Sequence, residues 1–377
     1  MKYRVLGRTG VRVSEVGLGG HREGVETRDG VARTARFFLP AQDRARVVGR
    51  AIDAGVTYFD TTYGCETASL AESLRLLGRR DGLFVSGMRV DFFKNWLAAK
   101  TDVRAYTRRE VEVCLRDAGW DPIDQFLLGA MCMGDPLSHP RSILEDAIDE
   151  LHHLRDQGKV RFIGFSCHEP DYAARLLEAF PAFDTVMTPY NFVNRQAEGC
   201  LAEVLRKTGA AWVGMKSLVW HVYGLPVTVL KNLPDVPGRL QLDRSVPIAR
   251  LGIQFILANP LISTCVPAVN TIQAVDENVS ASAAGPLSRN DECALADYAR
   301  AMAAEDFVPL AIAGLLEDNL RVRSNAIAVI KRKLGWSVDV LDYEADDAEA
   351  RASSVATCLL GRLREDPRWA AFVPVEQ

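Results

Sequence analysis

Eight short runs rich in Val, Ile and Phe recur along the chain, separated by longer stretches of helical period. The runs are "VSEVGLG" (13 to 19), "TYFDT" (57 to 61), "LFVSGM" (83 to 88), "DQFLLGA" (124 to 130), "VRFIGFS" (160 to 166), "DTVMTPY" (184 to 190), "AWVGMKS" (211 to 217) and "STCVPA" (263 to 268). Near-continuous apolar runs of this length mark strands buried on both faces, and the segments between them are long enough to cross over as helices. "PRSILEDAIDELHHLRDQGKV" shows the type: it opens on Pro140, closes on Gly158, and carries Ile143, Ala147, Leu151 and Leu154 along one face. Eight such units favour a closed (β/α)8 TIM barrel over an open doubly wound sheet, and no G-x-G-x-x-G follows the first run.

Two segments lie outside the repeat. "YRVL" and "VRVS" around "GRTG" read as an N-terminal hairpin ahead of the first barrel strand. After about residue 290 the chain turns to helical, apolar sequence broken by the acidic "DYEADD". The expected organisation is therefore an α/β barrel over 1–290 and a helical C-terminal extension over 291–377 packed on it.

Composition narrows the function classes. A net charge of -4 with Lys and Arg scattered among acids offers no basic stripe, so neither nucleic acid nor a membrane surface is an expected partner. The start, "MKYRVLGRTG", lacks an apolar signal core, and no stretch approaches 18 uninterrupted apolar residues, which leads to an expected cytoplasmic location. The eight cysteines form no Cys-x-x-Cys or Cys/His metal spacing, so free thiols and no metal are expected. Only "MCM" at 131 to 133 and "SCH" at 166 to 168 stand out among them.

Strand C-terminal ends are where barrel enzymes carry their chemistry. "FDTTYG" puts Asp60 and Tyr63 at such an end, either as half of a proton-transfer site or as a turn with an aromatic lid. His21 and Arg22 follow "GLGG", His168 follows "FSC", and Lys216 ends "VGMKS". Each of these has a bland alternative. His168 opens a helix and could simply bond backbone, while His21 and Arg22 begin a long segment and could be solvated.

Taken in order, "GLGG", "FDT.YG.E", "VRFIGFS", "PYN...R" and "P....QAVDENV" resemble the aldo-keto reductase superfamily over roughly residues 1 to 290. The resemblance implies a barrel that binds an extended nicotinamide dinucleotide across its strand ends and transfers hydride to or from a carbonyl carbon. It further implies a tetrad of Asp, Tyr, Lys and His. Asp60 matches the first, and Tyr63 follows it by three residues where the family's tyrosine follows by five. Met88 stands at the lysine position and Gly129 at the histidine position.

A tyrosine hydroxyl titrates near pH 10 and needs an adjacent cation to work at neutral pH. Without the lysine the proton must come from elsewhere: Asp60 and Tyr63, with His168 or His21, are the candidates. Arg89, next to Met88, is expected to point to the other face of its strand.

On the cofactor side the resemblance assigns Ser166 and Cys167 to the nicotinamide amide, Lys216 to a phosphate, and Glu277 and Asn278 to the adenine. Asn270-Thr271 replaces the basic residue expected at a 2'-phosphate, and Met187 the glutamine expected beneath the nicotinamide. The cofactor expectation is NADP or NAD, with none left open. The expected partner is a small organic substrate, and a homo-oligomer stays open. Tyr190, Asn191 and Arg195 match the family register, and a structural role suits them as well as a functional one.

The reading preferred is an atypical nicotinamide-dependent oxidoreductase. Two alternatives stand beside it: a redox-neutral dehydratase, isomerase or cyclase using Asp60, Tyr63 and a histidine, and a non-catalytic interaction protein.

Overall fold

A computed structural model describes residues 1–20, 25–28, 31–34, 39–220, 225–226, 232, 247–304, 308–318, 320–336 and 347–374. The chain divides into two compact units. One comprises Met1–Tyr190, Arg195–Ser217 and Ile256–Gly285; the other comprises Asn191–Asn194, Leu218–Phe255 and Pro286–Gln377.

The first unit opens with an antiparallel hairpin of β1 (Tyr3–Val5) and β2 (Arg12–Ser14), in the place expected, followed by a second antiparallel ribbon of β3 (Val25–Arg28) and β4 (Val31–Thr34). Strands and helices then alternate: α1 (Ala41–Asp53), β5 (Tyr58–Thr61), α2 (Gly64–Leu77), β6 (Phe84–Arg89), α3 (Phe92–Ala99), α4 (Val103–Ala118), β7 (Ile123–Leu128), α5 (Arg141–Asp156), β8 (Val160–Ser166), α6 (Pro170–Ala179), β9 (Thr185–Pro189), α7 (Gln196–Thr208) and β10 (Ala211–Met215). The alternation ends in α8 (Ile248–Ala258), which spans the division between the units, then β13 (Ile262–Cys265) and α9 (Ile272–Ala284).

Seven of these strands form one parallel sheet in the order β13-β10-β9-β8-β7-β6-β5. The eighth run, expected as a strand over 13 to 19, is not a regular strand. It is β2 followed by single bridges of Val16 to Cys265, Leu18 to Phe59 and Gly19 to Ala268. Those bridges join β5 to β13, with Gly17 N–H donating to Cys265 O at 2.8 Å and Leu18 N–H to Tyr58 O at 2.9 Å. The barrel thus closes through a segment held from both sides but short of continuous pairing.

Alternate strand residues fill the interior. Tyr58, Phe84, Met88, Leu127, Met187, Ala211, Val213, Met215 and Val266 form one buried cluster with Leu6 and Val13 of the hairpin. Stacked rings run through it, Tyr58 on Phe84 at 5.2 Å and Phe84 on Phe162 at 6.1 Å. The hairpin is further latched by Arg4, which donates to Glu15 and to the carbonyls of Leu257, Asn259 and Ile262. Helices cover the outside; α5 buries Leu144, Ala147, Ile148, Leu151 and Leu154, so the expected stripe holds at Ala147, Leu151 and Leu154 and takes in Leu144 in place of Ile143.

The second unit contains the short pair β11 (Val219–Trp220) and β12 (Leu225–Pro226) and the helices α10 (Arg289–Ala304), α11 (Val308–Leu315), α12 (Leu320–Leu334) and α13 (Ala348–Glu365). Every residue of α11 is buried, as its sequence "VPLAIAGL" requires. The helical content after residue 290 agrees with the expected extension. No helix among the described residues is long and apolar enough to cross a membrane.

Candidate active site

Asp60 is the third residue of β5 and shares the inward face with Tyr58 by the two-residue alternation of a strand. It is 5% exposed, and its Oδ1 has no hydrogen-bond partner. Burial pushes its carboxyl up to about 7, and the neighbouring Glu66 carboxylate adds to that rise. Ser86, paired with Asp60 across β5 and β6, offsets part of the push but is not in hydrogen-bonding geometry. A carboxyl held near neutrality can keep a proton and still release it at pH 7. Tyr58 lies beside it, and its hydroxyl is pushed far up, by burial first and by Asp60 second.

Glu66 is buried at the third position of α2, where its Oε2 accepts the Thr62 N–H at 2.7 Å and the Tyr63 N–H at 3.4 Å. That is the acidic half of a capping box, satisfying amides that a helix start leaves open. Gly20 lies against this carboxylate so closely that a Cβ would overlap it, with Oε1 at 2.8 Å, so only glycine fits there. On the other side stands Arg44 of α1, 2% exposed, donating to Val269 O at 2.7 Å. Burial lowers the Arg44 guanidinium to about 10, and Glu66 works against that loss. The base of the site is therefore an arginine and two carboxyls, with the arginine's charge closer in effect to Glu66 than to Asp60.

α2 begins at Gly64, so Tyr63 is the extended residue that caps it, half-buried. Opposite Asp60's side of β6, Arg89 bonds Asp117 of α4 at 2.9 Å, pointing away from the interior as the strand alternation requires. Met88 is buried in the core cluster, and its sulfur accepts the Ser166 hydroxyl at 3.4 Å. Gly129 can carry no side chain at all. A Cβ there would overlap the Arg89 carbonyl oxygen and come within 2.9 Å of Met88 Cγ.

The assigned cofactor residues spread along the ends of β8, β10 and β13. Ser166 is buried at the end of β8, its hydroxyl accepting the Ala130 N–H at 2.9 Å. Cys167 follows, fully buried, with its thiol on the Glu169 carbonyl at 3.2 Å. His168 is half-buried in the same turn. Lys216 follows β10 with a left-handed backbone, φ 55°, an unusual conformation for a lysine. Asn278 is on the buried face of α9, whereas Glu277 bonds Gln273 at 2.7 Å on the exposed side. His21 and Arg22 lie outside the described residues. Among the described residues, no group of His, Cys, Asp and Glu is arranged to hold a metal ion.

Among the buried polar atoms without a hydrogen-bond partner, Asp60 Oδ1 lies at the end of β5 and Asn270 Oδ1 in the turn before α9. Both are acceptors and both suit hydroxyl donors. Tyr190, Asn191 and Arg195 each bond to neighbouring protein groups. Tyr190 OH donates to Glu198 at 2.5 Å and its ring packs 4.8 Å from that of Trp212, Asn191 Oδ1 accepts the Val193 and Asn194 amides, and Arg195 pairs with Glu198 at 2.9 Å.

Sequence reasoning carried Glu66 only as the last position of "FDT.YG.E", without a role, and did not single out Arg44. Glu66 carried a readable signal, an acid three residues after an extended residue at a helix start. Arg44 carried none, because its partner Val269 is far away along the chain.

Relatives agree with the geometry. Residues 30–219 match the model of the Aldo/keto reductase family. L-galactose dehydrogenase from Arabidopsis thaliana is 23% identical over 301 residues, covering 74% of this chain and 88% of that protein. Among solved structures, an aldo-keto reductase from Bacillus halodurans in its holo form is similar with a TM-score of 0.58 and 21% identity, over 78% of this chain and 95% of the other. An aldo-keto reductase from Klebsiella pneumoniae, in complex with NADPH, gives 0.58 and 19% over 78% and 94%. With half the chain under the family model and the barrel strands in its order, the protein belongs to the aldo/keto reductase family and is an oxidoreductase of that kind.

Proposed function

We propose that this protein interconverts a hydroxyl and a carbonyl group on a small organic substrate, with NADP or NAD as hydride partner and Asp60 as the group that moves the proton. The observation that carries this reading is the state of Asp60: buried at a strand C-terminal end, with one oxygen unpartnered, and held near pH 7. A nicotinamide bound across the strand ends supplies or accepts the hydride.

Asp60 donates a proton to the developing alkoxide in reduction and accepts it in oxidation. Glu66 keeps that proton at hand by raising the Asp60 carboxyl, and Arg44 neutralises Glu66 in turn. Tyr63 at the helix cap and His168 in the turn after β8 border the same strand ends, and in this reading they orient the substrate hydroxyl. His21 keeps its assignment as a candidate for the same role. Ser166 and Cys167 would face the nicotinamide amide, Lys216 the phosphates, and Glu277 and Asn278 the adenine.

Asn270 Oδ1 would accept a ribose hydroxyl. Asn270-Thr271 offers no cation to a 2'-phosphate, so NAD is expected to be used at least as readily as NADP. The name of the Arabidopsis relative, L-galactose dehydrogenase, favours a polyhydroxylated substrate.

Asp60→Asn tests the proposal. General acid–base catalysis contributes about 10² to 10⁴ in rate, so kcat with either cofactor should fall by at least about a hundredfold. Tryptophan quenching by NADH and NADPH should be unchanged. Full activity in Asp60→Asn removes Asp60 from the proton step, and absence of quenching in the unaltered protein at millimolar cofactor removes the nicotinamide.

A further inference from the structure

The turns after β7 and β8 carry the two cysteine motifs that stood out in the sequence, "MCM" and "SCH", and the fold zips them together. β7 and β8 pair in register up to Leu128 with Phe165, and the pairing continues past the strand ends. Ala130 N–H reaches the Ser166 hydroxyl, and Met131 N–H donates to Ser166 O at 2.8 Å. Cys132 and Cys167 are each the next residue on their side.

The two thiols are neighbours: the Cys132 sulfur lies beside Cys167, whose own S–H donates to the Glu169 carbonyl at 3.2 Å, and His168 approaches the Cys132 sulfur with both its ring and its backbone. The pair is chemically asymmetric. The neighbouring Cys167 draws the Cys132 thiol down, and His168 reinforces it against the opposing effect of burial. Cys167, beside that sulfur and itself buried, is pushed up. Exposure is asymmetric in the same sense, since Cys132 is half-buried and Cys167 fully buried. A thiolate next to a histidine with a second thiol beside it is the arrangement of a nucleophilic cysteine and its resolving partner.

We propose that Cys132 and Cys167 form an oxidant-responsive dithiol, in which Cys132 is modified by hydroperoxides and Cys167 resolves it to a disulfide across the turns after β7 and β8. In the first step the Cys132 thiolate attacks the terminal oxygen of a hydroperoxide. The S–O bond forms, the O–O bond breaks, and the leaving alkoxide takes a proton and departs as the alcohol. The sulfur is oxidised by two electrons to the sulfenic acid and the peroxide is reduced by two. In the second step the Cys167 thiol gives up its proton and its sulfur attacks Cys132. The S–S bond forms, the S–O bond breaks, and hydroxide leaves with that proton as water. A reduced dithiol restores both thiols by exchange. None of this depends on the cofactor reading above.

The experiment treats the full-length protein with tert-butyl hydroperoxide, blocks remaining thiols with iodoacetamide, and maps peptides by mass spectrometry. The exposed Cys293 and Cys358 serve as internal controls. The expected result is a Cys132–Cys167 linked peptide, reversed by dithiothreitol and formed on the order of tenfold faster than either control cysteine is oxidised. In Cys167→Ser the sulfenic acid should be trapped by dimedone at Cys132. No linked peptide in the unaltered protein, or oxidation of Cys293 and Cys358 ahead of Cys132, overturns the proposal. So does a dimedone adduct on Cys167 in Cys132→Ser that exceeds the one on Cys132 in Cys167→Ser.

Discussion

Asp60→Asn should make the protein more stable, and more so the higher the pH. An ordinary aspartate titrates at 3.8, whereas Asp60 in the fold is held at about 7. Below the unfolded value both states carry the proton and the group is neutral in its effect. As the pH rises, the unfolded chain releases the proton first while the folded chain retains it. The folded state therefore binds more protons between about pH 4 and 7, and its stability falls through that window. Above pH 7 the buried carboxylate is fully charged and the whole penalty is present. At about 1.4 kcal/mol per pH unit, a rise of this size corresponds to ~4 kcal/mol as an upper figure. Asparagine has nearly the same shape and never ionises, so it resembles the protonated aspartate at pH 3 and escapes the penalty at pH 8.5. For a unit of this length, 1 kcal/mol moves Tm by roughly 2 to 4 °C, so the variant should gain on the order of 10 °C over the parent at pH 8.5, roughly a third to a half of that at pH 5, and close to nothing at pH 3. Differential scanning fluorimetry at matched ionic strength reads the difference directly. A Tm difference that stays constant across the range, or one that favours the parent at high pH, would show that Asp60 is ionised with a partner throughout.

Two other substitutions probe the same neighbourhood. Gly129→Ala should cost about 1 to 3 kcal/mol, the usual cost of overpacking, because the obstacle is the Arg89 carbonyl rather than a movable side chain; chemical denaturation measures it, and a neutral result would mean that the turn after β7 has slack. Glu66→Gln keeps an acceptor for the Thr62 and Tyr63 amides but removes the charge that raises Asp60. The pH profile of kcat/KM should shift its Asp60 limb to lower pH with stability changed by less than about 1 kcal/mol, whereas Glu66→Ala should lose about 1 kcal/mol through the cap; an unmoved limb would separate Glu66 from the titration of Asp60.

Much of the barrel is legible in the chain because burial on both faces leaves a coarse signature: short β-branched runs at regular spacing, each followed by a helical stripe. The strand ends shift by a residue or two, and the first run fails as a regular strand because its residues are divided between the hairpin and the seam. Asp60, Met88 and Gly129 were readable as positions, since strand ends are countable. Their consequences were not. Nothing local to "FDTTYG" says that Asp60 lacks a cation, since that depends on the side chains of β6 and on Glu66 around it. Gly129 looks like a deleted histidine in the sequence, but in the fold it is a site where the Arg89 carbonyl leaves no volume. Cys132 and Cys167 stand out singly in "MCM" and "SCH", but that they are neighbours follows only from how the turns after β7 and β8 bond to one another.

The seam of the barrel bears on how the chain is made. Every other strand finds a neighbour that was synthesised just before it, so pairing can follow the order of emergence from the ribosome. The segment from Val16 to Gly19 cannot, because one of its two partners, β13, is among the last parts of the barrel to appear. Until then β5 and β13 are open sheet edges, the kind of surface on which chains pair with one another. Closure by a few bridges is a late, long-range event that contributes little local enthalpy and depends on loop closure over most of the unit. A chain lacking its first twenty residues would therefore lose more than a hairpin: it would keep an apolar sheet with both edges permanently exposed, and its fate would be aggregation rather than a smaller barrel.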